Sequence, residues 1–101
     1  MPYIIETWDK PGHQSVRQAN RQVHIDYLRQ HAHTLLACGA KLNDDGSDRG
    51  GGLYIIDTDS RGEAESFIAQ DPFSKADLFE RVHITRWRKA FVDGKCFLPP
   101  S

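Results

Sequence analysis

His24 follows Arg17 by seven residues and Arg21 by three, inside a stretch with no glycine or proline. At roughly 100° per residue a helix over this stretch carries an apolar sector of Val16, Val23, Tyr27, Leu28 and Ala32, with His24 near its middle. Arg17 and Arg21 lie on the same side, two turns and one turn before the histidine. Gln18, Gln22, Asp26 and Arg29 take the opposite, solvated face. An imidazole there suits a general acid or base, because it titrates near neutral pH and a partner carboxylate would fix its tautomer. Arg17 and Arg21 would hold a carboxylate, phenolate or other anionic group of a substrate. The plainer alternative is a core histidine whose ring nitrogens are satisfied, beside two solvated or ion-paired arginines. The residue types alone leave both open.

Other candidates carry less chemistry. His31 and His33 chelate a metal at that spacing only from a strand, they sit at a helix end, and no third ligand clusters with them, so no metal is expected. Asp44, Asp45 and Asp48 lack the spacing and distal glutamate of a calcium loop. Gly50-Gly51-Gly52 is no phosphate-binding turn and precedes no helix. Cys38 and Cys96 read as reduced, partly buried thiols, Cys38 as a small core hydrophobe.

The elements that must position these residues follow from local pattern. Tyr3 to Trp8 is aromatic and β-branched and stops at Asp9-Lys10-Pro11-Gly12, which predicts a strand and a turn. A helix is expected from about Val16 to Ala32, with Ser15 the better N-cap and Gln14 the alternative. Thr34 to Leu42 reads as a second strand, Asn43 to Gly51 as a polar, glycine-rich loop, and Leu53 to Thr58 as a third strand. Ser60-Arg61-Gly62-Glu63 matches a capping box and opens a second helix that buries Ala64, Phe67 and Ile68. Pro72 ends it, and Asp71 is placed to cap a further short helix reaching Phe79, with Pro72 at its first position. Val82 to Trp87 is a fourth strand. The tail, Phe91 to Phe97, is expected to form a short fifth one around an Asp93-Gly94 turn.

The order β-α-β-β-α-β predicts an α+β, ferredoxin-like antiparallel sheet with both helices on one face. Ile4-Ile5, Leu35-Leu36 and Leu53 to Ile56 are apolar in both phases, as in strands buried on both sides. Two helices cover one face only, and the same face of a second copy is the simplest cover for the other.

The chain has room for one domain, with a core over about residues 2–90 and an extension over 91–101. Hydrophobic residues make up 39% and charged residues 27%, which is ordinary for a globular protein and gives no sign of long disorder. A formal net charge of −1 argues against a nucleic-acid or anionic-membrane surface, both of which need a basic excess. No apolar run is long enough to span a bilayer and the first residues form no signal peptide, so a cytoplasmic protein is expected.

Arg17, Arg21, His24, Tyr27 and Leu28, then Gly39, Asp44-Asp45-Gly46, Gly52-Leu53 and Ile55, and finally Asp71-Pro72-Phe73, Lys75-Ala76 and Leu78-Phe79 resemble, in this order, the YciI-like (YCII-related) family. The resemblance runs from the first strand to Trp87. It implies a dimeric α+β barrel made by two sheets packed face to face, and a catalytic His and Asp that map onto His24 and Asp71. One branch of that family removes chloride from a chlorinated hydroxyhydroquinone. Asp77 stands where the family has a glycine, and Ala40 where it often has a proline. An aspartate tolerates left-handed backbone angles better than most residues, so the turn at Asp77 is expected to survive.

The function expected is therefore a cofactor-independent enzyme acting on a small organic, anionic molecule. His24 would serve as acid/base, Asp71 as the group that orients it, and Arg17 or Arg21 as the anion-binding cation. Lyase, isomerase and hydrolase chemistry all fit. The alternatives are a non-catalytic ligand-binding or regulatory module of the same fold, and a structural subunit whose tail docks in another chain.

Overall fold

The computed structural model describes residues 1–100. It is built from β1 (Tyr3–Asp9), α1 (Gln14–Gln30), β2 (Leu35–Leu42), β3 (Asp48–Ile56), α2 (Arg61–Gln70), α3 (Pro72–Lys75), β4 (Phe79–Arg86), β5 (Phe91–Val92) and β6 (Lys95–Cys96), with a short 3-10 turn at Ala32–Thr34. The four long strands form one antiparallel sheet in the order β2-β3-β1-β4, the order a split βαβ pattern produces. The α+β, ferredoxin-like architecture expected from the sequence is the one observed. No helix among the described residues is long and apolar enough to cross a membrane.

Register decides which side chains meet. Tyr3 opposes Ile56 and Ile5 opposes Tyr54, and these four join Ala64, Phe67 and Ile68 of α2 in the core. The alternate residues face the other way, where Ile4 opposes Ile55 and Trp8 opposes Gly51. There Leu53 is exposed, and Trp8 lies between Lys41 and Arg81, whose charged ends sit 4.1 and 3.9 Å from the rings of the indole. The two-sided apolar strands thus have one face packed beneath helices and one face bare in the single chain.

The helix termini differ. Ser60 accepts a hydrogen bond from the Glu63 amide, the first half of the expected capping box. The second half runs through a relay: the Ser60 amide donates to Thr58 Oγ1, and that hydroxyl donates to Glu63 Oε2. By contrast α1 starts at Gln14 after His13, with no side-chain cap, so Ser15 lies inside the helix and is not its cap. Asp71 caps α3 as expected, through the Phe73 amide, and Pro72 takes the first helical position.

Several boundaries depart from expectation. Residues Asp48 to Gly51 belong to β3 and not to the preceding loop. Their glycines look like turn residues, but Gly51 is in the strand because a Cβ there would lie 2.2 Å from the Thr7 carbonyl oxygen. The short helix after Pro72 ends at Lys75, well before Phe79, which already starts β4. Asp77 holds the left-handed turn between them, at φ 57°. The tail forms a separate two-stranded hairpin around Asp93 and Gly94, both at positive φ, and does not add a strand to the main sheet. Val23 is 52% exposed, since α1 turns its His24–Leu28 side to the sheet and leaves Val23 outside. Cys38 and Cys96 are both exposed, contrary to the expected partial burial, because β2 is an edge strand and β6 belongs to the isolated hairpin.

Candidate functional site

No residue of α1 is fully buried. The helix is held above the sheet by polar and aromatic contacts: Tyr27 donates its hydroxyl hydrogen to the Phe67 carbonyl at 2.7 Å, and His24 reaches Asp71 at 2.9 Å. The gap beneath it is a cavity of about 200 Å³, open to solvent. From α1 it receives Arg17, Arg21, His24, Ile25 and Leu28. The sheet contributes Cys38, Ala40, Gly52 and Tyr54, and Phe73 closes one end.

Asp71 is completely buried, and three donors converge on its two oxygens. Oδ1 accepts from the Phe73 amide at 2.8 Å and lies 2.9 Å from His24 Nδ1; Oδ2 accepts from the Tyr54 hydroxyl at 3.3 Å. The aspartate is therefore both a helix cap and the partner of the histidine, and the two roles share one oxygen. Because a carboxylate oxygen can only accept, the proton of a neutral His24 belongs on Nδ1, which leaves Nε2 as the nitrogen with a free lone pair. The imidazole lies flat on Phe73, with ring centroids 3.9 Å apart and planes 16° from parallel. Its edge contact with Tyr54 fixes the remaining direction.

Burial, and next the negative charge of Asp71, push the Tyr54 pKa far above its ordinary value, so Tyr54 stays a neutral donor to Asp71. Burial followed by the charge of Asp71 raises Tyr27 in the same way. Cys38 is exposed as a residue, yet crowding around its sulfur and then Asp71 raise its thiol pKa, which makes it a poor nucleophile.

The two arginines separate. Arg17 donates to both oxygens of Asp9, at 2.6 and 3.1 Å, and its guanidinium sits 4.6 Å from the centre of the Phe73 ring. Burial works against its charge, but the hydrogen bonds and charge of Asp9 outweigh it and hold the pKa above the ordinary arginine value. Arg17 thus braces Phe73 from one side while His24 stacks on the ring. Arg21 is exposed, lines the same cavity, and makes no ion pair among the described residues. Its charge is the one available to an incoming anion.

Of the four residues singled out in the sequence, Arg17, Arg21 and His24 line this cavity, and Asp71 lies buried behind its wall, bonded to His24. Tyr54, Phe73 and Asp9 were missed. Phe73 stood beside Asp71 in the Asp-Pro-aromatic segment, and that adjacency was its only signal. A larger polar cavity, about 560 Å³, lies between the β1–α1 turn and the β2–β3 loop and shares Arg17, but no histidine lines it. His31 bonds the Tyr27 carbonyl and stacks on that ring, so its place is structural.

Comparison with known proteins identifies the family and the fold. The model of the YCII-related domain matches residues 1–88. The fold is similar to that of 5-chloro-2-hydroxyhydroquinone dehydrochlorinase from Burkholderia phenoliruptrix, solved with 2,5-dihydroxybenzoquinone: 33% identity over 87% of this chain and 94% of that one, with a TM-score of 0.80. An antibiotic biosynthesis monooxygenase-type protein from Bacteriodes thetaiotaomicron shares 15% identity over 94% of this chain and 93% of its own, with a TM-score of 0.56. Protein Atu4242 from Agrobacterium tumefaciens shares 18% over 92% and 98%, with a TM-score of 0.52. These last two show the fold alone. No curated protein matches the sequence. The chain belongs to the YCII-related domain family.

Proposed function

We propose that this YCII-related chain is a cofactor-independent enzyme that removes a proton from a small anionic ring compound, with His24 as the base and Asp71 as its orienting group. The observation that carries the reading is the 2.9 Å contact between the buried Asp71 and Nδ1 of His24, whose ring lines an open cavity. Asp71 holds the proton on Nδ1, Nε2 takes the substrate proton, and the aspartate stabilises the imidazolium without itself being protonated. Arg21 meets the negative oxygen of the substrate. Arg17, paired with Asp9, keeps Phe73 and through it His24 in place.

The similarity to the dehydrochlorinase supports elimination of hydrogen chloride from a hydroxylated ring as the reaction type. In that step the ring reacts as its keto tautomer, in which the chlorine-bearing carbon is tetrahedral. Nε2 takes a ring hydroxyl proton, and that O–H pair forms the new C=O bond. The neighbouring C=C pair shifts to form a π bond to the chlorine-bearing carbon, and chloride departs with the pair of the carbon–chlorine bond. No oxidant or reductant is consumed. The test is chloride release from 5-chloro-2-hydroxyhydroquinone. The proposal expects turnover by the wild type and a fall in kcat of about a hundredfold or more in His24→Ala. Turnover undiminished in that variant would remove His24 from the mechanism.

The same proposal includes a homodimer, in which two copies pair through the sheet face that bears Ile4, Trp8, Leu53 and Ile55. The bare apolar residues on that face support it. Light scattering should give the mass of a pair, and a monomeric mass at micromolar concentration would count against it.

A further inference from the structure

Cys38 and Ala40 lie two residues apart on β2, so both project to the helix-facing side. There Cys38 opposes Tyr54 and Ala40 opposes Gly52. All three residues beside Tyr54 on this part of the sheet are small, and Gly52 has no side chain at all. A Cβ at Gly52 would meet the Gly39 carbonyl at 3.0 Å, so close packing of the two strands keeps that position bare. The opposite wall is made of long side chains on α1, such as Ile25 and Arg21, which can change rotamer. The floor cannot, because it is backbone and short side chains in a hydrogen-bonded ladder. The register shifts just after Ala40, between Ala40 and Leu42, and such irregularities re-aim side chains next to binding sites.

We infer that Ala40, together with Cys38 and Gly52, is the size gate of the site and restricts its ligand to one ring carrying an anionic oxygen, which Arg21 receives. This rests on the reading of the cavity as the substrate site. A cavity of roughly 150 Å³ takes one benzene. The cavity here, at about 200 Å³, encloses one ring and its oxygens, so a second fused ring projects past it and meets the rim at Cys38 and Ala40. Adding three carbons at position 40 narrows that space; removing one enlarges it.

Calorimetric titration with 2,5-dihydroxybenzoquinone (one ring) and 2-hydroxy-1,4-naphthoquinone (two fused rings) tests this. Wild type binds the first and holds the second about tenfold or more weaker. Ala40→Leu weakens the one-ring probe about tenfold or more, while Ala40→Gly tightens the two-ring probe about threefold. The gain in Ala40→Gly cannot come from misfolding. Equal binding of the two probes by wild type, binding of neither, or no gain in Ala40→Gly overturns the size gate. The catalytic reading fails separately: if His24→Ala keeps full turnover while the Ala40 variants shift binding as stated, the gate stands and the base does not.

Discussion

Two helices lie on the same face of the same sheet, and different forces hold them there. Helix α2 buries Ala64, Phe67 and Ile68 and is capped by Ser60. Helix α1 is longer, buries no residue completely and has no side-chain cap. Tyr27 and Leu28 pack partly buried against the core, and polar contacts hold the rest: Arg17 to Asp9, His24 to Asp71, Tyr27 to the Phe67 carbonyl. Three fully packed apolar side chains anchor α2. Partial packing of α1 leaves a gap beneath its Arg17–Leu28 side, and the gap is where Arg17, Arg21 and His24 gather. A helix that contributes little to the core is free to carry chemistry.

The largest test of this contrast is truncation of one apolar side chain on each helix. Phe67→Ala should cost about 3–5 kcal/mol of stability in urea unfolding, as expected for a core aromatic. Ile25→Ala, on the cavity wall, should cost only about 1 kcal/mol, because its side chain already faces open space. Equal losses would show that α1 is packed like α2.

Next comes the polar tether. Asp71→Ala removes the cap of α3 and leaves Tyr54 and His24 without their acceptor, so a loss of about 2–3 kcal/mol is expected in the same measurement. A loss no larger than that of an ordinary exposed cap would mean that the contacts to Tyr54 and His24 add nothing.

The smallest effect is in alkaline solution. Burial and Asp71 raise the Tyr54 pKa in the folded chain, so the folded state holds this proton more tightly than the unfolded one. That contribution is complete below the ordinary tyrosine value of about 10 and is lost as pH rises above it, when the unfolded chain ionises first. Melting temperature should therefore fall between about pH 9 and 11, and less steeply in Tyr54→Phe. A residual slope from Tyr27, raised in the same direction, should remain.

What could be read in the sequence divides along the same line. The Ser60–Glu63 capping box and the Asp71-Pro72 helix start are local signals between neighbouring residues, and both were legible. The fold order followed from the alternation of such signals. The site was legible only in part. His24, Arg17 and Arg21 share a helix face by spacing alone, whereas Asp71 reached His24 through a family resemblance. The Tyr54–Asp71 bond links a strand to a helix cap and has no sequence signal. Arg17 and Arg21 look equivalent on a wheel, and only the fold of the β1–α1 turn brings Asp9 to one of them. Cys38 was misread because an apolar run in an edge strand looks like one in a central strand. Asp48 to Gly51 were misread because glycines needed for close strand approach look like glycines needed for turns.

The central claim is that Asp71 fixes the proton of His24 on Nδ1 and leaves Nε2 bare toward substrate. Nitrogen-15 NMR of the imidazole in the neutral form, with the signals assigned by comparison with His24→Ala, reads this directly. The account predicts a protonated Nδ1 and an unprotonated Nε2, with the preference weakened in Asp71→Ala. A neutral His24 carrying its proton on Nε2 in the intact protein would contradict it.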